Sequence, residues 1–367
     1  MALSPADTLE DIALRVERGE RLTAEDGLRL FESDDLLTLG RLADLVRRRK
    51  NGGNAYFVVN THLNYSNVCW VDCKFCAFQR KVNEAGAYTM SLAEVEAWAK
   101  GQAGKGFHEV HIVGGVHPLL PFEYYEDVLR ICRTHLPEAH IQAFTAVEIE
   151  YICKRGGVGV EAGLGRLQAA GLGSLPGGGA EIFADRVREL AYPNKMTAER
   201  WLGMHETAHR LGMRTNASIL YGHIETREEV VDHLLRLREL QDRTGGFQTF
   251  LAFGFYPENT QLEKEQGLTE PTSGIDDLKM VAVARLLLDN FDHIKAFWMI
   301  MGPKLAQVAL HFGVDDLDGT VMEERIVHDA GARVPRLQPK DAFIRMIRQA
   351  GRVPVERDTV FNTIRTY

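Results

Sequence analysis

Asn67–Phe78 reads NVCWVDCKFCAF and sets three thiols, Cys69, Cys73 and Cys76, at the spacing C-x3-C-x2-C. The run just before it, YFVVNTHL (Tyr56–Leu63), is β-rich, so the cysteines stand in the loop after a first candidate strand. Thiolates are the ligands of iron–sulfur clusters, and a short loop can wrap three of them around one cluster. Three protein ligands leave one metal position open, which a catalytic centre needs. Trp70, Phe75, Ala77 and Phe78 supply apolar cover that shields such a centre and tunes its potential. A second reading joins the three cysteines to His62 as a Cys3His zinc site, although zinc loops usually bring another ligand pair at longer spacing and no clear pair follows.

Downstream of this loop, short β-rich runs alternate with longer helical ones. The candidate strands are YFVVNTHL, HEVHIVGG, HIQAF, RTNASILYG, QTFLAFGF and HIKAFWMI. The candidate helices are LAEVEAWAKGQAGKG, YYEDVLRICRTHL, TAERWLGMHETAHRLG, EEVVDHLLRLRELQ and DDLKMVAVARLLLDNF. Such alternation indicates an α/β fold with a parallel sheet, closed into a (β/α) TIM-like barrel or left as an open doubly wound sheet, and closure is the economical arrangement at this length. Upstream, Leu9, Ile12, Ala13, Val16 and then Leu36, Leu37, Leu39, Leu42, Ala43 recur at helical spacing, and Thr23 with Asp26 resembles a helix start. The expected division is a helical lead over 1–54, a barrel over 55–334 and a C-terminal extension over 335–367 packed on the barrel. In a parallel barrel the turns after the strands share one rim, so the cysteine loop, Gly114–Gly115, Gly177–Gly179, Gly222–Glu225 and Tyr256–Asn259 can converge.

Composition narrows the setting. The chain has 367 residues, 45% of them hydrophobic and 26% charged, as in ordinary globular enzymes. A formal net charge of −8 argues against a nucleic-acid partner, which needs a basic surface. No apolar run approaches the roughly 20 residues of a membrane span. The start, MALSPADTLEDIALRVERGE, lacks the basic-then-apolar pattern of a signal peptide, so a cytoplasmic location is expected. Of five cysteines, Cys132 and Cys153 stand alone in helical runs and read as packed core thiols.

The cysteine loop, with an aromatic residue before its last cysteine, resembles the signature of the radical S-adenosylmethionine (SAM) superfamily. Gly114–Gly115 resembles that family's glycine pair for the methionine amino group. SILYGHIE (Ser218–Glu225) is similar to its G-x-I-x-G-x-x-E strand, with Ser218 and Leu220 as departures that affect packing. The likeness covers nearly the whole chain and is strongest to the menaquinone and deazaflavin biosynthesis group. It rests there on the helical lead, GGVHP (Gly114–Pro118), FTAVEI (Phe144–Ile149) and LPGGGAEIF (Leu175–Phe183), while FYPENTQLE and FGVDDLDGTVMEERI distinguish one branch of the group. Within the group it points to the branch that makes aminofutalosine on the futalosine route to menaquinone.

The resemblance implies a radical SAM transferase with a [4Fe–4S] cluster on Cys69, Cys73 and Cys76 and with SAM consumed as cosubstrate. A 5′-deoxyadenosyl radical from SAM adds to 3-[(1-carboxyvinyl)oxy]benzoate, and aryl migration and loss of bicarbonate follow. It also implies a low-potential electron donor, a flavodoxin or ferredoxin. The alternatives are an enzyme of the hydrogen-abstracting, cyclising kind and, in another class, a zinc-stabilised non-catalytic binding protein.

For the cofactors the resemblance implies Phe75, Gly114, Gly115, Glu181, Arg186 and Gly222, with Phe75 on the adenine side and Glu181 on the SAM ribose. His62 and His117 are the catalytic candidates, since histidine donates or accepts near neutral pH. Asn64, Asn216, Phe255 and Trp298 are the substrate-binding candidates. Asn67, His223 and Asn259 are further polar rim residues, Arg188 and Lys304 further cations, and Phe253 and Tyr256 further aromatics. Each has a plainer role open to it. A histidine after a strand can cap a turn, Arg186 and Arg188 can be exposed helix charges, Glu181 can be a helix N-terminal carboxylate, and Phe253, Phe255 and Trp298 can be barrel core.

Overall fold

The computed structural model of the chain describes residues 9–320, 325–329, 331, 335 and 337–367. The first eight residues, MALSPADT, and the stretch VMEE within FGVDDLDGTVMEERI lie outside the described residues, as do parts of the junction expected near 334.

The lead holds α1 (Glu10–Arg18), α2 (Ala24–Glu32) and α3 (Leu36–Asn51). Thr23 and Asp26 close a full capping box at the start of α2, each satisfying a backbone N–H that the helix leaves unpaired. The alternating body follows as β1 (Asn54–Val58), β2 (Asn60–Leu63), α4 (Leu92–Gln102), β3 (Glu109–Ile112), α5 (Phe122–His135), β4 (His140–Ala143), α6 (Ala146–Arg155) and α7 (Val160–Ala170). It continues with β5 (Ser174–Leu175), α8 (Asp185–Ala191), α9 (Ala198–Arg210), β6 (Arg214–Tyr221), α10 (Arg227–Thr244), β7 (Phe247–Gly254), α11 (Gln261–Gln266) and α12 (Gly274–Leu287). The last elements are β8 (His293–Lys295), α13 (Trp298–Met301), α14 (Pro303–Ala309), β9 (Asp316–Gly319), α15 (Ile326–Asp329), α16 (Lys340–Gln349), β10 (Val353–Arg357) and β11 (Thr363–Thr366).

Among the described residues the strands form one sheet in the order β11-β10-β1-β9-β8-β7-β6-β5-β4-β3-β2. Its two distant members, β1 and β2, are halves of one extended segment separated by Val59. β1 pairs in parallel with β9 and β10, while β2 pairs in parallel with β3. The sheet therefore returns to its own beginning and encloses a space, as a parallel barrel does. Thr320 bridges the break: its N–H donates to the Val58 carbonyl at 3.1 Å, and its hydroxyl oxygen lies 3.0 Å from the Asn60 N–H and 2.9 Å from the Asn60 carbonyl.

Four elements go beyond or differ from the sequence reading. HIKAFWMI is a strand only to Lys295, and from Trp298 it turns into helix, because the Trp298 indole N–H reaches down to the Gly319 carbonyl at 2.8 Å. β5 has two residues and β9 is DLDG, whose acidic residues look like a turn in sequence yet are buried. The C-terminal segment does more than pack on the outside, since β10 extends the sheet beside β1.

Buried ion pairs tie the ends to the barrel. Asp44 of α3 accepts from Arg47 at 2.8 Å and from Arg352, just before β10, at 2.7 Å. Arg357 of β10 pairs with Asp316 of β9, both side chains essentially without solvent exposure. Removing one member of such a pair strands the other charge in a low-dielectric interior. Arg357→Met is expected to lower the free energy of unfolding by about 3–5 kcal/mol, read by chemical denaturation. A change below about 1 kcal/mol would contradict this account of how the C-terminal segment is held.

Candidate functional site

Strand register decides which side chains face the enclosed space. Asn60, His62, Glu109, His111, Gln142, Asn216, Ser218, Leu251, Phe253, Lys295 and Asp318 all line one cavity of about 380 Å³. Neighbours in this set are neighbours in the ladder: Asn60 pairs with Glu109, His62 with His111, and His111 with Gln142. The side chains repeat the pattern. Asn60 Nδ2 donates to Glu109 at 3.1 Å, His111 Nδ1 lies 3.1 Å from Gln142 Oε1, and the His62 and His111 rings stack at 4.7 Å. Parallel barrels usually fill this space with branched aliphatic side chains, whereas here the floor is polar and hollow.

Charge on the floor is arranged in pairs. Lys295 Nζ donates to Asp318 at 2.8 Å. Burial alone pushes the Asp318 and Glu109 carboxyls up, but Lys295, together with Arg357 and the neighbouring histidines, more than offsets this and holds both below the usual carboxylate range. His62 moves the opposite way: burial, assisted by His111, lowers it to about 3, so it is neutral at ordinary pH. Its Nε2 is buried and finds no partner among the described residues.

The other end of the cavity is built by the turns after the strands. Cys69, Cys73 and Cys76 all line it. Their loop is wound on itself and onto its surroundings: Cys69 N–H donates to the Arg80 carbonyl at 2.9 Å, Trp70 N–H to Val116 at 3.2 Å, and Lys74 N–H to Ala191 at 2.8 Å. Phe75 packs edge-on against Tyr192 at 5.7 Å, with the Lys195 ammonium 5.2 Å from its ring centre. Lys195 forms an ion pair with Glu181, whose backbone sits in the left-handed region at φ 49°. Burial pushes the Cys73 thiol up and Lys195 pulls it partly back, while burial and Cys69 raise Cys76. Burial disfavours the ionised thiolate, most of all at Cys73, so the three need a positive centre to ionise, which is what a metal cluster supplies. Three thiols from one short loop on the cavity wall are a donor set that fits an iron–sulfur cluster with one iron left open.

Gly114 and Gly115 line the cavity beside the cysteines, and there is no room there for side chains. A Cβ at Gly115 would stand 2.3 Å from the Val68 carbonyl oxygen. Ser218, the departure from glycine, donates its hydroxyl to the Gly177 carbonyl at 2.6 Å and so fastens β6 to the glycine-rich turn.

The family models match in two blocks, the radical SAM superfamily over residues 63–237 and the CofH/MqnC C-terminal region over residues 244–366. Among similar curated proteins, the aminodeoxyfutalosine synthase of Thermus thermophilus is 49% identical, over 97% of this chain and 96% of its own length. That of Streptomyces coelicolor is 44% identical, over 97% and 94%. This chain belongs to the aminodeoxyfutalosine synthase family. It is thus a radical SAM enzyme of the futalosine pathway, a transferase that works with a [4Fe–4S] cluster and SAM. The reading as a zinc-stabilised binding protein is set aside. The cyclic dehypoxanthine futalosine synthase of Streptomyces coelicolor is more distant, 37% identical over 96% of this chain and 88% of its own. Among solved structures, methylornithine synthase superposes with a TM-score of 0.72 at 19% identity, over 94% of this chain and 97% of that one, which shows the shared fold.

Several expected site residues of this family member lie elsewhere. His117 is not in the cavity lining; its Nδ1 accepts from the N–H groups of Leu119 and Leu120 at 3.1 and 3.3 Å and caps that turn. Arg186 is half-exposed and paired with Glu229 at 2.6 Å. Gly222 borders a separate depression with Phe31, Tyr221 and Lys279. Asn64 spends its amide on the Val113 carbonyl at 3.0 Å, and Trp298 is fully buried on Gly319. Phe75, Gly114, Gly115, Glu181, His62, Asn216 and Phe255 do line the cavity. The cations that reach it are Lys195 and Lys295 rather than Arg186, Arg188 or Lys304. Lys295 was visible as a charge inside the apolar strand HIKAF, whereas Lys195, in YPNKMT, carried no sequence signal.

The two groups of cysteines behave differently in this geometry. Cys69→Ala, Cys73→Ala and Cys76→Ala are each expected to abolish iron uptake and SAM cleavage. Cys132→Ala and Cys153→Ala, which change buried core thiols, are expected to keep both. Iron and sulfide analysis after anaerobic reconstitution checks this, and wild-type protein without iron would refute it.

Proposed function

We propose that this enzyme joins the adenosyl group of SAM to 3-[(1-carboxyvinyl)oxy]benzoate, giving 6-amino-6-deoxyfutalosine, methionine and bicarbonate. The observation that carries the reading is one cavity with the three thiols and the double glycine at its upper end and a polar barrel floor at the other. When bound, the cluster and SAM supply a 5′-deoxyadenosyl radical; the rest of the task falls to the chain's own residues.

Cys69, Cys73 and Cys76 hold the cluster. The Gly114–Gly115 turn takes the amino-acid end of SAM, Phe75 covers the adenine side, and Glu181 with Lys195 provides polar contacts nearby. The walls between the two ends are Val71, Val116, Leu251, Phe253, Phe255, Phe297 and Ile300, which exclude water and pack a benzoate ring. Neutral His62, Asn216 and Lys295 are the donors for the substrate's carboxylates. Orientation is the main demand, because addition to an alkene must outrun abstraction of a nearby hydrogen.

The same reading includes a low-potential flavodoxin or ferredoxin as electron donor, a cytoplasmic location and the division into 1–54, 55–334 and 335–367. It is compatible with the finding that no described helix is long and apolar enough to cross a membrane.

Adenosyl-labelled SAM, given anaerobically with the enolpyruvyl benzoate, tests the proposal. The label is expected in a product containing both adenine and the benzoate ring, with little free 5′-deoxyadenosine. His62→Leu is expected to lower coupled product by roughly 10- to 100-fold and to raise the share of label released as 5′-deoxyadenosine. Release of nearly all label as 5′-deoxyadenosine by the wild type would refute the reading in favour of a hydrogen-abstracting enzyme.

A further inference from the structure

Behind the double-glycine turn stands a carboxylate that lies outside the cavity lining. Glu148 belongs to the FTAVEI stretch, is buried, and divides its two oxygens between two neighbours. Oε2 accepts from the Thr145 N–H and hydroxyl, both at 2.7 Å, and completes the capping box of α6. Oε1 accepts from the Gly114 N–H at 3.1 Å and from the Tyr65 hydroxyl at 2.8 Å. The Tyr65 oxygen also stands 3.1 Å from the Gly115 carbonyl. Phe144, just before the cap, is held in the left-handed region at φ 57°, which β-carbon sterics disfavour.

The turn has little freedom to shift. A Cβ at Gly114 would meet the Tyr65 ring at 2.7 Å and the Ser66 carbonyl oxygen at 2.8 Å. The glycine backbone is thus threaded between the cysteine loop on one side and Glu148 with Tyr65 on the other. The titratable groups that act with Glu148 are Tyr65 from the loop after β2 and Tyr125 from α5, with Tyr124 beside both, and among the described residues no ion pair to Glu148 is present. Burial raises its carboxyl to about 7, against the donors from Thr145, Tyr65 and Gly114. An ionised carboxylate accepts the Gly114 N–H and the Tyr65 hydroxyl more strongly than a neutral acid does, so the turn is held most firmly when Glu148 is charged.

We infer that Glu148 is a positioning residue for the methionine end of SAM, pinning the Gly114–Gly115 turn from behind through the Gly114 N–H and Tyr65. This rests on the reading that the turn receives SAM. It gives the FTAVEI stretch a role that the cavity lining alone leaves unexplained.

The test measures SAM affinity by equilibrium dialysis of the cluster-loaded full-length protein, with iron content and melting temperature recorded alongside. Glu148→Gln removes the charge and one acceptor, and is expected to weaken SAM binding about tenfold while iron content stays at the wild-type level. KM for SAM should rise more than kcat falls. Wild-type affinity should increase as pH rises through about 7, where the carboxyl ionises, and the Gln variant should lack this dependence. Thr23→Ala breaks a capping box in the remote lead and is expected to cost stability without changing SAM affinity. Tyr65→Phe keeps the carboxylate and should weaken binding about threefold, as loss of one neutral hydrogen bond does. Unchanged affinity and pH dependence in Glu148→Gln overturn the inference, as does an equal loss in Thr23→Ala. If Glu148→Gln takes up no iron, Tyr65→Phe decides, and wild-type affinity there overturns it. Gly115→Val separates the two levels: normal SAM binding in that variant refutes the turn assignment itself, and the role of Glu148 falls with it.

Discussion

Val59 is the residue at which the first strand changes partners, and the enclosed site depends on that exchange. Up to Val58 the segment is fastened to β9 and β10; from Asn60 it is fastened to β3. A strand that kept one partner throughout would leave an open sheet edge and no enclosed space. Thr320 stabilises the break by hydrogen-bonding on both sides of it, so the closure uses backbone groups that would otherwise be left unpaired. Once the barrel is closed, the turns that carry the thiols, the double glycine and Glu181 share one rim above a common floor.

The floor shows a cost accepted for function. Burying Glu109, Lys295 and Asp318 in place of aliphatic residues forfeits apolar packing and requires each charge to find a partner. The strand register meets this requirement, since adjacent inward positions are chemically complementary: amide against carboxylate, imidazole against amide, ammonium against carboxylate. A preorganised polar surface of this kind can orient a ligand without rearranging when it binds. His62 is the exception, because its Nε2 has no partner among the described residues.

The N- and C-terminal segments act on the site indirectly. Asp44 joins α3 to Arg352, and Arg357 joins β10 to Asp316 next to the floor. Asp316 in turn accepts the Asp318 N–H at 2.6 Å, which helps place the partner of Lys295. A chain of charged contacts thus runs from the lead through the extension to the cavity.

The sequence by itself determined the local features. Cysteine spacing, the helix start at Thr23, the double glycine and the alternation of strand with helix are short-range patterns, and they were legible as such. Tertiary structure alone decided which rim residues face inward. His62 lies within β2 and faces the cavity, whereas His117 and Asn64, which follow strands, turn to backbone groups, and Trp298 leaves its strand for a helix and the Gly319 carbonyl. β9 escaped notice because DLDG is acidic, and acidic strands exist only where a cation such as Lys295 or Arg357 is brought to them from far along the chain. Lys195 and Glu148 show the same limit: their partners lie 14 and 34 residues away, at Glu181 and Gly114. A side chain's direction depends on partners that only folding brings near, and no local spacing encodes it.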